Sequence, residues 1–189
     1  SDYFTGIKDY IKANVKDADK KTIYLETVKP LTTVLPGGYH HNMIVFAGGK
    51  SIFETDFENV NDSEVDPEIV IDRNPDVIVK FLTASSAMKG TGLYEPPTKE
   101  EYIKVYNDII GRPGWDSITA VKNDDIYFMT QFSHGGASKL VGMSYIADCM
   151  YPDLLPELDS KEVFRKWLED FQGFKNIEGH FYSAEELKQ

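Results

Sequence analysis

The sequence predicts an α/β fold, a mainly parallel sheet flanked by helices in three layers. Three short segments, TIYLETV, VIVKF and IYFMT, are apolar nearly throughout, as strands buried on both faces of a sheet are. Between them lie stretches with apolar residues at helical spacing. Strands that alternate with helices in this way build parallel sheets.

Taken in order, residues 2–15 carry Tyr3, Phe4, Ile7, Ile11 and Val15 at helical spacing. The polar KDADKK separates this helix from the first strand, so it is expected to belong to the domain only loosely. The loop KPLTTVLPGGYHH leads into a short helix around Met43 to Ala47, closed by Gly48 and Gly49. SIF is a brief strand and FENVNDSEV a loop. Asp66 and Pro67 then open a helix that runs to Asn74. The Asp side chain accepts a free N–H of the first turn, and Pro has no N–H to leave unpaired there.

Pro75 ends that helix, and Val77 to Phe81 is the next strand. After the polar, Gly-rich TASSAMKGTGLYEPP, Thr98 and Glu101 form a capping box ahead of a helix whose face is Tyr102, Val105, Tyr106 and Ile109. GRPGW is a turn, NDD leads into IYFMT, and QFSHGGAS is a loop. Ser138 opens a helix with Leu140, Met143, Ala147 and Met150 inward. A last amphipathic helix buries Val163, Phe164, Trp167, Leu168 and Phe171, and the tail from Asn176 reads as polar with scattered aromatics.

Composition narrows the function. The 189 residues carry a net charge of −11, which speaks against nucleic acid, since phosphates need a basic face. Cys149 is the single cysteine, so neither a disulfide framework nor a Cys-rich zinc site is expected. No apolar run approaches the roughly 18 residues of a membrane span, and no signal-peptide pattern is present. The phosphate-cradling GxGxxG and GxxxxGK[ST] loops and the GxSxG nucleophile elbow are missing. Neither a cofactor nor a catalytic residue is expected.

Among the histidines, His40 and His41 are neighbours whose side chains diverge, so they make no chelating pair by themselves. Tyr39, His40, His41 and His134 nevertheless fall in loops that follow strands. In open α/β sheets, ligands bind outside the carboxyl ends of the strands. Ligand contact by one of these is left open, and no metal centre built from protein side chains is expected.

Four segments resemble one family. VDPEIVIDRNPDVIV is similar to the helix and Pro-Asp strand of the substrate-binding proteins of ABC importers for ferric siderophores, haem and cobalamin, with Asp66 where that family has Ser. YHHNMIVFAGGKSIF, GRPGWDSITAVKNDDIYFM and VGMSYIADCMYPDLLPELD resemble further segments in the right order, over roughly residues 21–175. The family's proteins have two α/β lobes joined by a long helix, with ligand held between them. The resemblance covers the C-terminal lobe, residues 21–189, with residues 1–20 as the end of the connecting helix and the N-terminal lobe missing.

The resemblance also implies partners and sites. The protein would be extracytoplasmic and membrane-anchored at full length, and would deliver a metal complex such as a ferric siderophore, haem or corrinoid to an ABC permease. Glu68 takes the position of the family's permease-docking glutamate; from the residues alone the preferred reading is a complement to the helix dipole. Cleft-facing positions carry over to Tyr39, His40, His41 and Asn42, to the stretch from Phe57 to Asp62, and to Phe132, Ser133 and His134. A metal-dependent or chelatase-like enzyme using His134 with a nearby carboxylate is the first rival, and a freestanding interaction domain is the second.

Overall fold

A computed structural model describes residues 2–55, 63–83, 85–87, 94–130, 138–175 and 177–189. The chain runs through α1 (Asp2–Val15), β1 (Thr22–Glu26), α2 (Tyr39–Phe46), β2 (Lys50–Ser51), α3 (Pro67–Arg73) and β3 (Val77–Leu82). A small hairpin follows, β4 (Ser85–Ala87) with β5 (Tyr94–Glu95), and then α4 (Lys99–Ile110), α5 (Thr119–Lys122) and β6 (Ile126–Thr130). The remainder is α6 (Ser138–Met150), α7 (Ser160–Lys166), β7 (Phe181–Ser183) and α8 (Ala184–Leu187).

The main sheet has the order β2-β1-β3-β6-β7; only β7, against β6, pairs antiparallel. Side chains alternate across it. Ile23, Leu25, Val77, Val79, Phe81 and Met129 face a core covered by α1, α2, α6 and α7. Tyr24, Ile78, Ile126 and Phe128 face a second core covered by α3, α4, α5 and α8. This is the three-layer, mainly parallel architecture that the apolar strands imply.

The caps form as the sequence dictates. Asp66 accepts from the Glu68 N–H at 2.9 Å, and Asn74 ends α3 in the left-handed region at φ 43°. Thr98 and Glu101 close the capping box of α4 in both directions. Gly48, at φ 87°, turns the chain after α2; a Cβ there would also sit 2.7 Å from a Val15 methyl.

Several elements depart from expectation because packing overrides local pattern. Helix α1 is no loose appendage: Ile11 is fully buried, with Phe4 and Val15 nearly so, in the core of the first face. Helix α2 begins at Tyr39 rather than near Met43, behind Gly38 as its N-cap. Helix α6 is buried on nearly all sides rather than along one stripe, because α1, α2 and α7 all pack on it. After α7 the helix widens to a π-helix over Trp167–Gln172, which leaves Phe171 half exposed beside Phe4. The tail that reads as polar supplies β7 and α8, with Ala184 and Leu187 completing the second core.

Candidate functional site

The parallel strands place their carboxyl ends on one edge of the sheet, where open α/β folds hold ligands. Glu26 ends β1, and Lys80 of β3 stands opposite it in register, so both side chains project from the second face. Glu26 is fully buried and Lys80 is 3% exposed. Such charges persist only when paired.

The pairing is complete. The Lys80 ammonium donates to Glu26 Oε1 at 2.8 Å, to the Thr27 carbonyl at 2.6 Å and to the Val28 carbonyl at 3.0 Å, which uses its three protons. Arg112, just beyond α4, forks onto the same carboxylate at 2.7 and 3.0 Å, contacts Asp108 at 3.2 Å and lies 4.5 Å over the Trp115 ring. The Tyr24 hydroxyl and the Leu31 N–H each donate to Glu26 Oε2 at 3.0 Å. Burial alone would raise the Glu26 carboxyl, but the Arg112 fork and the Lys80 charge outweigh it and hold its pKa below the usual value.

This cluster fixes the loop after β1. Leu31 has φ 53°, uncommon for a non-Gly residue, and keeps it with its N–H on Glu26 and its carbonyl accepting from Val65 N–H at 2.9 Å. A groove of about 420 Å³ opens beside the cluster between this loop and α4, lined by Val28, Pro30, Leu82, Thr83, Pro97 and Val105 among others. In the sequence, the signal was a Glu and a Lys inside otherwise apolar strands. Neither residue was among the sites expected there, and neither was Arg112.

Of the residues expected at a cleft, Tyr39, His40, His41 and Asn42 form the first turn of α2, at this carboxyl edge. His40 packs edge-on to Phe81 at 5.0 Å and to Tyr39 at 5.0 Å, while Lys139 lies 4.3 Å over the Tyr39 ring. Burial raises the Tyr39 hydroxyl. His41 turns inward, and its Nδ1 accepts from the Gly37 N–H at 3.3 Å. Asn42 is exposed and donates to the Gly37 carbonyl. The two histidines diverge as neighbours must. Phe57, Asp62, Phe132, Ser133 and His134 lie outside the described residues. Among the described residues no group of three or more His, Cys, Asp or Glu side chains is placed to hold a metal ion, and no helix is long and apolar enough to cross a membrane.

Glu68 is exposed in the first turn of α3. The segment just before it is tied to the loop after β1 by the Thr33 N–H to the Ser63 carbonyl, 2.9 Å, and by the Lys29–Glu64 ion pair. Glu68 therefore flanks the carboxyl edge on a braced backbone.

His180 plays another part. It is buried between β6 and Phe164, with Nδ1 2.7 Å from the Thr130 hydroxyl, and burial pushes its pKa down to about 4. The unfolded chain protonates this ring near pH 6.5, so below that pH the unfolded state binds a proton that the folded state refuses. Between about pH 7 and about pH 5 this group is expected to remove about 2 kcal/mol of stability. In His180→Asn that share of the acid sensitivity should vanish from urea titrations; an unchanged slope would show that other groups carry it.

No protein-family model matches the sequence, and a search of the curated proteins finds no match. Solved structures do match, and they share this α/β fold. The TroA-like periplasmic binding protein FepB from Veillonella parvula matches 96% of this chain and 54% of its own, with a TM-score of 0.78 and 20% identity. Helicobacter pylori CeuE with Ni(II) bound matches at a TM-score of 0.68 and 14% identity, over 92% of this chain and 51% of its own. The molybdate-binding MolA of Haemophilus influenzae matches at 0.65 and 17% identity, over 92% and 49%. This chain thus spans about half the length of these structures, and its fold is that of one of their lobes.

Proposed function

We propose that the chain is the C-terminal lobe of the extracytoplasmic substrate-binding protein of an ABC importer for an iron or other metal complex. The likeness of nearly the whole chain to one half of two-lobed binding proteins carries this reading. The carboxyl edge supports it: Tyr39, His40 and Asn42 stand on the first turn of α2, and the loop that leads there from β1 is bonded at Thr27, Val28 and Leu31 to the cluster of Glu26, Lys80 and Arg112. A ligand would lie on that edge beneath a companion lobe, and the complex would be carried to the permease without chemistry.

The test is a tryptophan-fluorescence titration of the chain joined to a companion lobe. Trp115, stacked under Arg112, is the reporter. The panel is ferric siderophores, haem, cobalamin, molybdate, tungstate and bare Fe, Ni and Zn ions. Saturable sub-micromolar quenching by one complex is expected, and a flat response across the panel would sink the reading.

In the same reading Glu68 meets an arginine of the permease, a bidentate match for a carboxylate on a fixed turn. Glu68→Ala should leave ligand affinity unchanged and weaken permease binding by about tenfold, the scale of losing one charge-assisted contact. Unaltered permease affinity and transport would remove Glu68 from this role.

A further inference from the structure

The first face carries a groove that begins at the carboxyl edge, where Tyr39 and Asn42 line it, and leads away from the ligand site. It runs between α1 and α2 over α6, as two depressions of about 340 and 350 Å³ that share Lys8, Phe46 and Met143. Phe46 is 61% exposed and Val45 is 48% exposed, so an apolar ridge stands in water between the two depressions.

The wall beside that ridge is unusual in charge. Lys8, Lys12, Lys16 and Lys20 recur every fourth residue along α1 and its continuation, and all four line the groove. Lys139 of α6 lines the other end. The chain has 31 acidic and 20 basic residues, yet among the described residues lining the groove none is a carboxylate. Lys8, Lys12 and Lys20 have no ion-pair partner among the described residues, and Lys16 reaches only Asp17, at 3.7 Å. Like charges four apart on a helix repel one another. Lys8 and Lys12 share one face of α1 in this way, and Lys16 and Lys20 extend the row beyond its end, so an anionic surface would meet positive charge along the whole depression.

We infer that this groove docks an acidic, amphipathic polypeptide segment of a partner protein. Apolar side chains enter the depressions on either side of Phe46, and carboxylates meet the lysine ladder. The shape selects a polypeptide over a bilayer. The groove is concave and follows α1 from the carboxyl edge, at Tyr39 and Lys139, toward the opposite edge, at Lys16 and Lys20; a flat membrane cannot follow it. A second copy of the chain is a poorer occupant, because an acidic patch elsewhere on it would make a head-to-tail contact, which closes only for particular rotations and otherwise grows into filaments. The depression lined by Lys12, Lys16 and Lys20 includes neither Tyr39 nor Asn42, so variants there test this inference apart from the ligand reading.

The test is fluorescence anisotropy with a labelled helix-forming peptide of leucine and glutamate, beside its counterpart with glutamine for glutamate. Saturable binding of the glutamate peptide is expected, weakening with salt because the pairs are exposed. Lys12→Glu with Lys16→Glu should weaken it by about fivefold to thirtyfold, the scale of two rim attractions turned into repulsions. Phe46→Ser should weaken it as well, and circular dichroism checks that both variants stay folded, as exposed substitutions should. Equal binding of the two peptides, or no saturable binding of the glutamate peptide, overturns the inference. Lysine-dependent binding to phosphatidylglycerol vesicles assigns the groove to membrane instead, and dimerisation lost on Lys12→Glu assigns it to a second copy; either result overturns the partner named here.

Discussion

Glu26→Ala is expected to cost about 3–5 kcal/mol. The substitution leaves Lys80 buried without its carboxylate and Arg112, partly buried, with Asp108 alone; it also frees the Tyr24 hydroxyl and the Leu31 N–H and opens space at the end of β1. The penalty is that of stranded charge rather than the net worth of the cluster. Replacing Glu26, Lys80 and Arg112 together by Leu, Met and Met should therefore cost much less than Glu26→Ala alone. Urea titrations of the two proteins decide this, and equal losses would refute the stranded-charge account. Because the folded Glu26 pKa is lowered, its contribution is present above the unfolded value of 4.5 and is lost as pH falls below it. Hydrogen exchange at Leu31 gives a local readout, since its amide is protected by Glu26 itself.

Ile11→Ala is the second large effect, expected at about 2–5 kcal/mol, as for other fully buried aliphatic truncations. Ile11 is fully buried where α1 lies on α6, and Tyr151, after α6, reaches the Gly48 carbonyl at 2.8 Å and accepts from the Lys21 N–H at 2.9 Å, binding the start of β1 to the same layer. If α1 folds with the sheet, the variant unfolds in one earlier transition. A loss within about 0.5 kcal/mol, typical of surface sites, would mean that α1 is detachable.

The capped helices were legible because their signals are local. Asp66-Pro67 and the Thr98–Glu101 box act within four residues, and the caps form where the sequence places them. Helix α2 carries no comparable signal at its start: Gly38 caps it without a side-chain bond, and His40 is held by Phe81 of β3. The tail was illegible for a similar reason. Phe181 and Tyr182 become a strand only because the β6 backbone is there to pair with them.

The site divides along the same line. By itself the sequence determined the alternation of buried strands and capped helices, hence the layered sheet, and the capped turn that exposes Glu68. Both depend on interactions between residues close along the chain. Only the tertiary structure decided that Glu26, Lys80 and Arg112 share one carboxylate and that five lysines line one groove. Glu26, Lys80 and Arg112 come from different elements through the register of β1 on β3, and the row of lysines along α1 becomes the wall of a groove, with Lys139, only because α1 and α2 both pack on α6.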